Sequence, residues 1–484
     1  MQHKWILLFF LLVAIGPKSS IAWSAENDQR QGQILKFQYH TVQNQLNQEF
    51  KSGNENAITY YHHALNAGIR MMVEDDPKFE DRYEEILDES LDVLEDAPGL
   101  LAEVHAAELR FLRAYSAFKN ASYFTAAYQL VKVASAVEEF KENADSYKPA
   151  FPVRIAMEVM MSSLSEDMQS YLSWIGMEGS KREAKRLLSE LQSHRYGANE
   201  SYLKFYTVFL EDFMQYQYKD LRKEKSNFGK EFENHPAILF QKAMLYGMNH
   251  KNQEALKKIR ALRAFSFELE PHYLNYLEGR CKMQALDSKA EIYLKKYLQT
   301  YPGKKFKKAA HLYLLWHAVL YKDAQAQGEQ RRAIANVGDT ETGPDALAMR
   351  LRNSKMHPEL VRSRLLFDGG DFAEAEKVLR SLDQNEFDAA LHKIEWAYRL
   401  GRIGQETQDY HLSIMYFRQA IDFERVEGDY MQANACLQLG EVYFSTGEKD
   451  KARAYFERCL EYEDYPYESS IRRSAKKSLE LLDQ

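Results

Sequence analysis

The chain has 484 residues, 45% of them hydrophobic, and a formal net charge of −7. That balance leaves no strongly basic surface and excludes nucleic acid as the main partner, and three cysteines in this length do not make a disulfide framework. The 11 Pro and 22 Gly are about 7% of the sequence against a usual share of roughly 12%, so long helices are expected, and 31 Tyr and 26 Phe suit helix pairs that wedge large rings between neighbours.

The N-terminus reads as a targeting leader. Lys4 is followed by eleven apolar residues, Trp5 to Ile15, too few to span a bilayer but right for a secretory signal. Ser20 and Ala22 fit the −3 and −1 positions of a cut before Trp23, and Ala22 and Ser24 fit those of a cut before Ala25. An uncleaved anchor is the alternative, but Gly16, Pro17 and Lys18 interrupt the apolar run. No cysteine follows it for lipid attachment, and no other stretch reaches membrane length. The expected location is periplasmic or secreted, with no stable membrane span after cleavage.

From Glu74 to Asp96 lies the densest acidic run, twelve carboxylates against Lys78 and Arg82. Within it Phe79, Tyr83, Leu87, Leu91 and Leu94 recur every three or four residues, so it predicts an amphipathic helix with a solvated acidic face. His62-His63 could be imagined as metal ligands, but neighbours on a helix point about 100° apart and rarely hold one ion. No metal or cofactor is expected. Breaks follow at Pro98-Gly99 and at Tyr147 to Pro152.

A ladder of helical hairpins then emerges, clearest at the C-terminus. Leu439-Gly440, Tyr443, Gly447, Ala452 and Phe456 have the spacing of a tetratricopeptide-type repeat, in which small residues let paired helices approach and large rings fill the space beside them. Upstream, Leu400-Gly401, Ser413, Phe417 and Ala420 repeat the pattern, and Gly370-Asp371-Phe372 with Ala375 and Leu379 forms a third turn and second helix. Periods of 39 and 38 between Ala452, Ser413 and Ala375 exceed the usual 34, with the excess expected at Val426 to Tyr430. Degenerate units centre on Ala290, on Ala255 and on Ala126. Between Ala324 and Met356 the periodicity gives way to a polar, Gly-containing stretch expected to be a linker or insertion.

The fold class expected is therefore an all-α superhelix of degenerate hairpins in two arrays. The organisation reads 1–22 leader, 23–99 N-terminal helical region, 100–323 degenerate array, 324–356 polar linker and 357–484 C-terminal repeats.

Several stretches match more than a generic repeat. Val104 to Leu109, Phe151 to Leu188 with its Tyr171 to Gly179 turn, Lys305 to Leu315, Leu437 to Tyr443 and Tyr465 to Ile471 follow in order. Together they resemble the tetratricopeptide repeat protein 39 family and the fungal inclusion-body-clearance protein. The resemblance implies an all-helical, non-enzymatic, partner-binding protein. Those relatives are intracellular, whereas the leader points to export.

No His-Glu-x-x-His, Cys-x-x-Cys, Walker loop, dinucleotide Gly-x-Gly-x-x-Gly or Gly-x-Ser-x-Gly elbow occurs, so no catalytic residues are expected. Positions two, five and nine of a repeat face the concave groove. Counting Gly401 and Gly440 as position eight gives Glu395, Tyr398 and Arg402, then Asn434, Leu437 and Glu441, a mixed set suited to an extended peptide. A solvated groove without ligand is the plain alternative. The paired Lys and Asn of a carboxylate clamp are absent. Cys436 and Cys459 lie three residues outside Leu439 and Phe456, where antiparallel helices bring them near each other; they are a candidate disulfide or two small core residues. The function expected is an exported scaffold binding a protein or peptide; the alternative is an envelope glycan- or nutrient-binding protein on the same scaffold.

Overall fold

The computed structural model describes residues 23–120, 122–143, 145–163, 179–217 and 228–483. The expected leader, and most of the stretch from Tyr171 to Gly179, lie outside the described residues. Among the described residues there are 23 α-helices and no strands, and they form an all-α superhelix of antiparallel pairs. In chain order these are α1 (Ala25–Leu35), α2 (Tyr39–Ser52), α3 (Ala57–Glu74), α4 (Glu80–Asp96), α5 (Leu100–Lys119), α6 (Tyr123–Asn143), α7 (Phe151–Met161) and α8 (Lys181–Ser193). Then come α9 (Ser201–Gln217), α10 (Pro236–Met248), α11 (Asn252–Leu262), α12 (His272–Gln284), α13 (Ala290–Thr300), α14 (Lys307–Leu320), α15 (Ala324–Asn336) and α16 (Gly343–Leu351). The C-terminal helices are α17 (Pro358–Gly369), α18 (Phe372–Arg380), α19 (Ala390–Thr407), α20 (Tyr410–Asp422), α21 (Met431–Ser445), α22 (Lys449–Cys459) and α23 (Glu468–Leu482).

The small residues of the ladder sit where one helix of a pair crosses the other. Ala126, Ala255, Ala290, Ala375, Ser413 and Ala452, on α6, α11, α13, α18, α20 and α22, are all buried. Where serine replaces alanine its hydroxyl is satisfied by the partner helix, Ser413 Oγ donating to the Gly401 carbonyl at 3.1 Å. The turn at Gly370 needs a left-handed residue, with φ of 87°, and Asp371 then caps α18 by accepting the Glu374 amide at 3.3 Å. The long connection from α20 to α21 spans Phe423 to Tyr430, where the excess length was expected.

The buried apolar side chains form three clusters. One runs from Trp23 to Cys281, a second from Tyr276 to Leu365 and a third from Leu360 to Leu482. Helix α12 gives Leu274, Leu277 and Cys281 to the first and Tyr276 and Met283 to the second; α17 likewise divides Leu360 and Leu366 from Val361 and Leu365. A helix apolar on more than one side is how a solenoid passes its core from unit to unit.

Helix α4 carries the acidic run and buries Tyr83, Leu87, Leu91 and Leu94. Its outer carboxylates are partly met by Arg113 of α5, which pairs with Glu84 at 2.8 Å and Asp88 at 2.6 Å.

The stretch from Ala324 to Met356 departs from expectation, because most of it is helical. Helices α15 and α16 both pack on α14, anchored by buried Ile334 and Ala348. The sequence pattern hides these few anchors among Gln, Arg and Glu, and polar capping supplies the rest. Asp345 is fully buried, accepting the amides of Phe306 at 2.6 Å and Ala309 at 2.9 Å and the Thr342 hydroxyl at 2.6 Å, so it ties the start of α16 to the start of α14. The basic cluster nearby is also structural: Lys308 is buried and donates to the Ile334 carbonyl at 2.7 Å.

Two features join distant parts of the chain. Asp75, left-handed at the end of α3, accepts from Lys119 and from the Tyr301 hydroxyl, while Lys305 donates to the Lys119 carbonyl. These contacts border an aromatic cavity of about 90 Å³ between α3, α5 and α12 to α14, walled by rings that include Phe37, Tyr115, Phe118, Tyr273 and Tyr301. In the N-terminal core, Trp23 packs edge-on against His62 at 5.4 Å and against Tyr202 at 5.0 Å between ring centroids. His62 is buried with neither ring nitrogen hydrogen-bonded, and burial lowers its pKa well below the usual value.

Candidate partner-binding groove

Helices α17, α19 and α21 are the first helices of three successive hairpins, and the connection from Val426 to Tyr430 folds across their ends. Between them and the end of α16 lies a cavity of about 200 Å³. Its apolar wall comes from Trp316, Leu347, Leu360, Val361 and Leu391, and its polar wall from Arg350, Arg364, Glu395, Arg399 and Asp429.

Each charged group is positioned by a neighbour. Arg364 lies over the Trp316 ring at 4.8 Å and Arg350 over the Tyr467 ring at 4.6 Å, the latter also donating to the Tyr467 hydroxyl at 2.7 Å. Arg399 Nε donates to Glu395 one turn earlier on α19 at 2.9 Å. Burial raises the Glu395 pKa, but Arg399, Arg364 and His392 outweigh it and the carboxyl stays ionised below its usual range. Asp429 differs: burial, with Glu395 nearby, pushes it up to about 6, although it accepts the Met431 amide at 2.9 Å. The groove is therefore lined by Arg350, Lys355, Arg364 and Arg399 together with the carboxyls of Glu395, Glu427 and Asp429, of which Asp429 is the one pushed up to about 6.

A second layer runs along the same stripe. The rings of Tyr398, Tyr430 and Tyr467 meet edge to face, at 6.2 Å and 5.5 Å between successive centroids. The Tyr398 hydroxyl accepts from Asn434 at 2.6 Å and from Arg402 at 3.4 Å, which binds α19 to α21 across the repeat boundary.

The expected groove residues thus divide. Glu395 lines the cavity; Tyr398, Arg402 and Asn434 are joined to one another beside it; Leu437 is buried in the core; and Glu441 is half-exposed toward the end of α21. Counting had reached only the last two repeats. The same count carried to α17 makes Ser363 position eight, since Ser363 stands to Ala375 as Gly401 stands to Ser413, and it gives His357, Leu360 and Arg364, all three of which line the cavity. Serine in place of glycine hid that helix. Arg350, Asp429 and Trp316 lie outside any repeat count, on α16, on a connection and on α14.

Cys436 and Cys459 are free, buried thiols rather than a disulfide. Both face the packed interior of the last hairpin, and burial pushes each up to about 12. His62 and His63 lie on α3, and among the described residues no group of three or more His, Cys, Asp or Glu is arranged to hold a metal. No described helix is long and apolar enough to cross a membrane.

The tetratricopeptide repeat family model matches residues 393–462, from α19 through α22. No curated protein matches the chain. Among solved structures, a chain of the APC/C hetero-tetramer Cut9-Hcn1 is similar at 14% identity over 87% of this chain and 77% of that one, with a TM-score of 0.31. The tetratricopeptide repeat domain of P58(IPK) is similar at 14% identity over 88% of this chain and 98% of that one, with a TM-score of 0.23.

Proposed function

We propose that this protein is an exported, non-catalytic scaffold that holds a segment of another protein in the groove formed by α17, α19 and residues 426–431. Tetratricopeptide-type hairpins generally bind proteins or peptides. The observation that carries the reading here is the meeting of Arg364 and Arg399, from successive hairpins, with an apolar wall of Leu360, Val361 and Leu391 in one cavity. Such a surface takes an extended chain by packing its side chains and bonding its polar groups. Export rests on the apolar stretch from Trp5 to Ile15 and the small residues that follow it. The resemblance to the tetratricopeptide repeat protein 39 family supports partner binding rather than turnover.

The test is photo-crosslinking from a probe residue placed at Lys355, at the groove, and at Lys377, an exposed position on α18. The groove probe is expected to capture one protein that the Lys377 probe does not, and R364E is expected to abolish the capture. Equal capture from both positions, or none from Lys355, overturns the reading.

A further inference from the structure

The sequence offers two cuts for the leader, before Trp23 and before Ala25, and small residues satisfy both. The fold treats the two products very differently. Trp23 is only 5% exposed and belongs to the first hydrophobic core. Its ring packs among His62 of α3, Tyr202 of α9 and, at 6.1 Å, His105 of α5, so one side chain fills the space where three helices meet. Ser24 is the N-cap of α1: its hydroxyl accepts the Asn27 amide at 3.2 Å and its carbonyl the Asp28 amide at 3.1 Å.

Helix α1 depends on this start and in turn ties other elements together. Asp28 accepts the Tyr202 amide at 3.1 Å at the head of α9, Gln31 donates to the Tyr206 hydroxyl at 3.3 Å, and Arg30, itself buried, pairs with Glu49 of α2. A chain beginning at Ala25 lacks the indole, leaves His62 and His105 beside a vacant space, and starts α1 without a cap. A chain beginning at Trp23 keeps all of these.

We propose that maturation cleaves the Ala22–Trp23 bond and that Trp23 is the first residue of the working protein; this rests on the export reading above. The step is a hydrolysis by an endopeptidase that selects small residues at −3 and −1, here Ser20 and Ala22. Water adds across the amide, the C–N bond breaks, the leader retains a carboxylate at Ala22 and Trp23 gains an ammonium. The cut precedes folding, after which the indole closes the core between α3, α5 and α9.

The experiment expresses the full chain with its leader in a secreting host and reads the intact mass and N-terminal sequence of the exported product. Trp23 at the N-terminus is the expected result. A product beginning at Ala25, or one that keeps residues 1–22, overturns the inference while leaving export intact, and absence of the protein from the exported fraction overturns export itself. A second measurement tests the reason: W23A is expected to lower the melting temperature by about 5 °C, with W23F recovering most of the loss. An unchanged melting temperature in W23A removes the basis for choosing between the cuts.

Discussion

A Cβ placed on Gly440 would lie 2.5 Å from the ring of Phe456, and one on Gly401 would lie 2.5 Å from the ring of Phe417. The two glycines occupy the same position of successive repeats, and in each the second helix sends its aromatic ring into the groove that the missing side chain leaves. The ring edges touch the glycine itself, so a methyl group has nowhere to go without moving α22 or α20.

G440A and G401A are therefore each expected to destabilise by about 1–3 kcal/mol, the usual cost of overpacking, even though alanine has the better helix propensity. The pair G440A with F456L is expected to recover part of the loss, because a smaller apolar side chain frees the space. Thermal unfolding of the single and double variants measures both.

His62 makes the N-terminal core sensitive to acid. Its folded-state pKa lies well below 6.5 because burial disfavours the imidazolium, while in the unfolded chain it protonates as pH falls through about 6.5. The unfolded state then binds more protons, so this contribution to stability is complete above pH 6.5 and declines progressively as the pH falls below it. In H62L the denaturation midpoint is expected to fall less steeply from pH 7 to pH 5 than in the parent. An identical slope would locate the acid sensitivity elsewhere.

Asp429 gives the groove a charge that changes near pH 6. Glu395, Glu427 and Asp429 line the cavity with Arg350, Lys355, Arg364 and Arg399; below that pH Asp429 is neutral and the cavity is one unit more positive. Once a partner is in hand, an acidic segment is expected to bind several-fold more tightly at pH 5.5 than at pH 7.5, and a basic segment more weakly. D429N is expected to bind with one affinity at both pH values. Titration calorimetry at the two pH values reads the difference.

The last hairpin hides its cysteines. With Cys436 and Cys459 buried and each pushed up to about 12, the folded protein is expected to react with an aromatic disulfide reagent at neither site at pH 8. All three cysteines react once the chain is denatured. Rapid native reaction of two thiols would mean that α21 and α22 open readily.

Much of this architecture could be read from residues whose role is steric and local. Ala452, Ser413, Ala375, Ala290 and Ala255 give away the hairpins because a close helix crossing admits only small side chains. The groove was less visible, for a reason found at Ser363: its hydroxyl bonds to the Ala375 carbonyl at 3.2 Å, and it stands in α17 at the position that glycine takes in α19 and α21. A count keyed to glycine stops one helix short, and so misses His357, Leu360 and Arg364. Asp345 marks a different limit, since a carboxylate among polar residues reads as solvated until the amides of Phe306 and Ala309, more than thirty residues away, are seen to surround it. Trp23 is harder still, because its neighbours come from α3, α5 and α9 and no local pattern joins them.

The bond between Asp75 and Tyr301 spans 226 residues. In an open solenoid each hairpin feels only its neighbours, and melting can begin at either end and creep inward. Here the chain is clipped back to itself at Asp75, so α3 and α5 cannot loosen without disturbing α13 and the start of α14. Pulled from its two ends, the stretch from Asp75 to Tyr301 would hold like a buckled strap until the clip fails, while the hairpins beyond Tyr301 would pay out one by one like thread from a spool.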